Sequence, residues 1–273
     1  MRPIAVVVAL TLLTAPLGAQ TVRLRDVVAR LDAYLRDYEQ RLSNVVAEEA
    51  YRQWVEEGPK ANRSRMSRIL RSDFALTLTP DRNRWVGYRD TFAVDGVAVR
   101  DREERLTQLL SSGAVGQASR IADENARFNL GEKLVSRNVN VPTFALEIMH
   151  PQFRDRVKVR HNGADTVDGR AGWLVEFREQ GQFTYVRTPE GRDQPTRVVA
   201  LIDPQTGEVL RTVVTWEHLK GSITVFYRPV PDVSVPVPII MAERYVARSG
   251  ELVGGDATYT NFRQFETSGR VVR

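Results

Sequence analysis

The run RVVALIDPQTGEVLRTVVTWEHLKGSITVFYR, from Arg197 to Arg228, constrains the fold more than any other stretch. Val198 to Ile202 is apolar and β-branched, and Asp203-Pro204-Gln205-Thr206-Gly207 then turns the chain. Pro204 presets φ at the first corner, and Gly207 can take the left-handed conformation that closes a short loop. Beyond Glu208, Leu210, Thr212, Val214 and Trp216 fall on one face, and Val209, Arg211, Val213 and Thr215 on the other. A strand with one face in a core has this alternation. Gly221-Ser222 turns the chain again, and Ile223, Val225 and Tyr227 begin a third strand. A chain holding this β-meander builds an antiparallel sheet with one buried face.

The start of the chain obeys other rules. Arg2 is a short positive region, Ile4 to Leu13 an apolar run, and Leu17-Gly18-Ala19 a small-residue cleavage site. Residues 1–19 are therefore expected to be a secretory signal peptide, cleaved after Ala19. An apolar run of about ten residues is half of the roughly twenty that span a bilayer. The expected location is periplasmic or secreted. Cysteine is absent from all 273 residues, which excludes a cysteine-borne acyl anchor, a disulfide framework and a thiolate metal site. Stability must then come from a core, and 42% hydrophobic residues supply one. The net charge of +5 is spread among interspersed Asp and Glu, so it does not indicate nucleic acid. Outside the cytoplasm it favours contact with anionic lipid or cell-wall polymer.

Leu24, Val28, Leu31, Leu35, Tyr38, Leu42 and Val45 recur at steps of four and three, which places them on one stripe of a long helix. A coiled-coil seam shares this spacing, but one such helix among many strands favours packing against a sheet. Val46 to Val55 fits two readings: a continued helix, or a first strand with Ala47, Tyr51 and Val55 inward. Asn62-Arg63-Ser64 matches a glycosylation sequon, a common chance match. Strand patterns follow over 67–79 and 84–94, and Asp95-Gly96 between apolar flanks marks a hairpin. Helices are expected at Asp101–Leu110, Val115–Leu130 and Pro142–Met149. Strands return at 156–161, with Asn162-Gly163 as a turn, and at 166–167, 173–178 and 183–187. The proline-rich 229–238 reads as a connector or edge, 239–247 and 254–265 as closing strands, and 266–273 as a frayed tail.

Catalytic signals are missing. His150, His161 and His218 sit near turns or a proline, without paired ligand spacing, and read as exposed or turn-capping residues. No HExxH, GxSxG, SxxK, Walker or GxGxxG pattern occurs. Carboxylate pairs such as Asp165/Asp168, Glu103/Glu104 and Glu48/Glu49 fit turns and solvated faces. No cofactor and no metal ligand is expected.

The helix RLDAYLRDYEQRLSNVVAEEAYRQ (Arg30 to Gln53), the hairpin LIDPQTGEVLRTVV (Leu201 to Val214) and the closing ATYTNFRQF (Ala257 to Phe265) resemble the LolA-like superfamily of periplasmic lipoprotein carriers. That superfamily includes LolB-like receptors and the N-terminal domain of RseB-like sensors. RFNLGEKLVSRNVNVPT (Arg127 to Thr143) is also similar to a string in secreted bacterial proteins of unknown function. The resemblance spans about Arg23 to Phe265 and implies a single α+β domain over 20–265. Its fold would be a strongly curved, open antiparallel half-barrel, with the N-terminal helix and the mid-chain helices covering the concave face.

A hydrophobic cavity is implied between helix and sheet. Leu31, Leu35 and Tyr38 of the helix, Trp85, and Leu210, Val214 and Trp216 of the meander are its candidate lining. In Arg84-Trp85-Val86-Gly87-Tyr88-Arg89 each face of the strand carries one arginine, and Arg84 or Arg89 could meet an anionic head group. The helical insert 101–149 is longer than the family's small lid, so protein side chains could fill that cavity instead. Two functions follow. One is non-catalytic binding of a lipid or lipoprotein acyl chain; the other is an interaction or sensor module with a filled core and an envelope protein partner. A hydrolase would need His, Asp or Ser to converge in space.

Overall fold

The computed structural model describes residues 22–42, 45–57, 64–78, 85–100, 123–124, 126–130, 140–188, 190–216, 218–231, 233–246 and 250–264. The expected signal peptide, the Asn62 sequon, Arg84, the helix expected at 101–110 and the tail 266–273 lie outside them. Of the helix expected at 115–130, Asp123, Glu124 and Ala126 are helical.

Helix α1 spans Leu24–Arg41 and buries Val27, Leu31, Leu35 and Tyr38, followed by Leu42. Val27, not Val28, leads the stripe. A strict four-three repeat drifts by about 20° per heptad against a straight helix, so the expected stripe slips off the buried face at its start. At Val45 the period changes to two. Strand β1 (Val45–Glu57) resolves the ambiguous segment, with Ala47, Tyr51 and Val55 inward as the strand reading required.

Strands β2 (Ser64–Leu78) and β3 (Trp85–Val94) follow, and β3 turns at Asp95-Gly96 into the short β4 (Val97–Ala98). Both turn residues have positive φ, the geometry that matches a hairpin's twist. The insert ends in α2 (Phe144–Met149), and a 3₁₀ turn, Pro151–Arg156, follows. Strand β5 (Val157–Val167) pairs with β6 (Arg170–Glu179). Asn162-Gly163 is not the expected turn between strands. It is a bulge inside β5, where the register shifts between His161 and Ala164 and Gly163 takes φ 101°.

Strands β7 (Val186–Arg187) and β8 (Asp193–Gln194) form a separate small ribbon. The meander is present as β9 (Arg197–Ile202), β10 (Val209–Trp216) and β11 (Gly221–Arg228). Strands β12 (Val237–Val246) and β13 (Leu252–Gln264) close the chain. Among the described residues the large sheet has eleven strands in the order β4-β3-β2-β1-β13-β12-β11-β10-β9-β6-β5, all antiparallel and open at both ends.

Helices α1 and α2 cover one face, called inner below. Gly207 fixes how α1 meets the meander. It holds φ 80°, and a Cβ there would lie 2.4 Å from the carbonyl carbon of Arg30. Arg30 Nη1 donates to Pro204 O at 2.6 Å on the same loop. The loop that turns the meander is thus also the seat of the helix.

Candidate functional site

Six of the seven candidate lining residues, all but Leu210, converge in one core. Tyr38 of α1 meets Trp85 of β3 edge-on, with ring centroids 6.3 Å apart. Trp216 of β10 packs against Phe144 of α2 at 5.6 Å and donates its indole N–H to Thr196 at 3.1 Å. Leu210 lies where the β9–β10 register shifts, between Val209 and Arg211, and is buried with Val214. None of the seven keeps more than 6% exposure. Leu210 is not in the core cluster that holds the other six, because the bulge places its neighbour Val209 in that cluster, opposite Ile202. A side chain beside a water-sized void keeps accessible area on that side, so these residues border packed protein.

Helix α2 supplies that protein, and all six of its residues are buried. It is held through Glu147. The Trp85 backbone N–H donates to Glu147 Oε1 at 2.5 Å, and the Tyr185 hydroxyl donates to Oε2. Tyr227 OH donates to Pro142 O at 2.7 Å just before the helix. Burial raises the pKa of the Tyr38 and Tyr227 hydroxyls, with neighbouring tyrosines adding to the effect at Tyr38.

The other half of the inner face is polar, which the sequence reading missed. Arg89 of β3 donates from Nε to Glu49 Oε2 of β1 at 2.7 Å, with side-chain exposures of 3% and 0%. Its other nitrogens reach Asn140, to O at 2.9 Å and to Oδ1 at 3.3 Å. Asn140 donates to Tyr51 OH at 3.3 Å, and Tyr51 OH donates to Glu243 of β12. Tyr245 OH also donates to Glu243, at 3.0 Å. Burial alone would lower the Arg89 pKa, but the Glu49 charge and hydrogen bond, together with Tyr259 and Tyr51, outweigh it and hold the guanidinium above its ordinary value. Burial, then the Glu49 charge, raises the nearby Tyr259 hydroxyl. Gly255 opposite makes room for the tyrosine, since a Cβ there would come 2.3 Å from the Tyr51 ring. Arg89 is therefore engaged inside the protein and does not stand at a solvent-facing mouth.

One signal could have found this cluster. Glu49-Ala50-Tyr51 and Glu243-Arg244-Tyr245 each set a carboxylate and a tyrosine on the inward alternation of a strand. The described part of the insert is tied to the same strands. Gln53 of β1 donates to Asn129 Oδ1 at 2.8 Å and accepts from the Leu130 N–H at 2.7 Å. Arg68 of β2 donates to Phe128 O at 2.9 Å.

The outer face carries a shallow groove of about 520 Å³ lined by Glu48, Asp73, Phe92, Asn261, Phe262 and Arg263. Its polar groups are paired: Arg263 with Asp73 at 2.9 Å, and Asn261 with Glu48 at 3.0 Å. Hydrogen bonds from Arg71 and Asn261 hold the Glu48 carboxyl below its usual range.

The histidines stay apart. His150 lies 3.4 Å from Glu39, His161 stacks on Trp173 at 4.1 Å, and His218 is exposed in a turn. Among the described residues no three His, Cys, Asp or Glu side chains group as metal ligands, and no helix is long and apolar enough to cross a membrane.

No family model and no curated protein matches the chain. The solved structures similar to it include a putative outer membrane lipoprotein-sorting protein domain from Vibrio parahaemolyticus, at 10% identity and TM-score 0.40, covering 88% of this chain and 92% of that one. A LolA superfamily protein from Nitrosomonas europaea is similar at 8% identity and TM-score 0.37, covering 88% and 96%. A DUF1329 family protein from Desulfovibrio piger is similar at 13% identity and TM-score 0.37, covering 91% and 95%. The LolA superfamily suggested by the sequence is thus also represented among the similar structures. At these values the likeness assigns neither ligand nor partner.

Proposed function

We propose that the chain is an exported, non-catalytic interaction module, a single domain over 20–265 that works with its core filled and meets a protein partner through its surface. The observation that carries this reading is that Leu31, Leu35, Tyr38, Trp85, Val214 and Trp216 are buried in one core cluster together with the apolar residues of α2. The same contacts support a half-barrel. Strands β3 and β10 stand six places apart in the sheet, roughly 29 Å in a flat one. Yet Trp85 and Trp216 both touch α2, a helix only about 9 Å long. A sheet wrapped around its helices satisfies both.

A bound acyl chain would need the space α2 fills, and α2 would have to leave Glu147's two donors behind. Lipid extraction from natively purified protein, together with titration of a fluorescent fatty acid, tests the reading. The expected result is no stoichiometric lipid and no saturable probe binding. One displaceable acyl chain per molecule would establish the hydrophobic-ligand function instead.

A further inference from the structure

The free edge of the sheet at β5 combines two features. Over Val157 to His161 the strand pairs with β6 on one side only, among the described residues, so half of its backbone N–H and C=O groups face outward from the sheet. Beside that edge the outer face carries a row of like charges: Lys158 stands directly opposite Arg178, and Arg178 directly opposite Arg197. Arg160 is the next outward residue of β5, opposite Glu176. Like charges directly opposite one another destabilise a sheet, so such a row works against the fold.

Charge on an edge strand also discourages pairing between identical chains. That accounts for cations on this strand, and Lys158 and Arg160 also fix which incoming strand the edge can accept. Glu176 in this patch is held by Arg197 at 2.6 Å. Neither Lys158 nor Arg160 has an ion-pair partner among the described residues, and both are exposed. A second copy of this chain would bring the same cations to the edge, whereas an acidic strand would neutralise them.

We propose that β5 is a docking edge for an extended acidic segment of a partner protein, which adds to the sheet as a twelfth strand. Main-chain hydrogen bonds to Val157–His161 supply the adhesion and the alternate side chains supply the choice. On the outer face the segment presents Asp or Glu to Lys158 and Arg160. On the inner face it presents apolar residues beside Val157 and Val159, which are buried and half-buried. The Asn162-Gly163 bulge ends the usable edge after His161, so the motif is short: acidic and apolar residues alternating over about five positions. This assignment rests on the surface-interaction reading and gives that partner its chemistry.

The test uses the mature chain and a short, end-blocked fluorescent peptide in which Glu alternates with Val. Two controls are a peptide with Lys in place of Glu, and one of the same composition with the Glu residues grouped. Saturable binding by the alternating acidic peptide alone is expected, with slowed amide exchange at 157–161. The exposed double variant Lys158→Glu/Arg160→Glu should weaken it at least about tenfold, as loss of complementary charge does. Equal binding of the Lys or grouped peptides, protection elsewhere, or no binding at about 1 mM overturns the assignment. Binding of phosphatidylglycerol vesicles at this face in place of the peptide overturns it too, in favour of a membrane surface. Peptide failure with a lipid-free core would remove only this edge, while extracted lipid would remove the broader reading.

Discussion

Arg89 and Glu49 share a 2.7 Å hydrogen bond inside the protein, with the rings of Phe74 and Tyr51 lying 4.8 and 5.4 Å from the guanidinium. Desolvating both charges is costly, and the pair repays that cost only while both members are present. Arg89→Met should therefore destabilise the protein by about 3–5 kcal/mol in urea unfolding, by leaving the Glu49 charge buried and uncompensated. Adding Glu49→Leu to that variant should recover much of the loss. The exposed pair Arg263–Asp73 serves as the contrast, with an expected coupling of at most about 1 kcal/mol. Similar couplings for the two pairs would contradict the burial argument.

Alkaline titration has a defined sign. The hydroxyls of Tyr34, Tyr38, Tyr227 and Tyr259 are all raised, with burial as the largest cause. In the unfolded chain each ionises near pH 10, so the unfolded state releases protons first as pH rises. The stability they contribute is whole below about pH 10 and falls above it, by about 1.4 kcal/mol per pH unit for each tyrosine. Phenolate absorbance should rise in two stages, the second coinciding with loss of circular dichroism. Titration of every tyrosine near pH 10 with the fold intact would refute this.

Gly207→Ala should cost about 1–3 kcal/mol, because the residue must keep a left-handed conformation and its new methyl group meets the Arg30 backbone. Scanning calorimetry should show a lowered Tm. Gly163→Ala separates the two causes, since φ there is also positive but nothing lies within 4 Å of the added Cβ. A smaller loss at Gly163 than at Gly207 is the expected order.

Trp216→Ala removes the side chain packed on Phe144 and leaves the Thr196 hydroxyl without its indole donor. A loss of about 3–5 kcal/mol is expected from the cavity. The variant, unlike the parent, should bind a small apolar dye, because only the variant has space between α2 and β10. Dye uptake by the unaltered protein would mean that the core opens by itself.

Much of the sheet was legible because its strands alternate cleanly, as in Thr212–Trp216 and Ile223–Tyr227. The segment 46–55 was not, for a geometric reason: Ala47, Tyr51 and Val55 are four apart, which satisfies a period of two and nearly satisfies 3.6. Only the pairing of β1 with β2 and β13 decides between them. Six of the apolar lining residues were legible as a set, since each is large and apolar on a recognisable face, whereas Leu210 was not, because the bulge beside it breaks the alternation. The Glu49–Arg89–Asn140 and Tyr51–Glu243 contacts were not. A carboxylate at an inward position reads as a break in the pattern until its partners, distant in sequence, are known. Whether the core was open or filled was equally hidden, because it depends on where six residues of α2 come to rest.

The placement of β13 between β1 and β12 has a consequence for how the molecule comes into being. Tyr51 and Glu243, hydrogen-bonded in the core, are 192 residues apart in sequence. Strand β1 keeps one bare edge until β13 has been made, so a growing chain can neither bury Glu49 nor complete its sheet. Contacts this distant are slow to form, because the chain must close a long loop before any of them is gained. The topology thus delays its own completion until β13 is available.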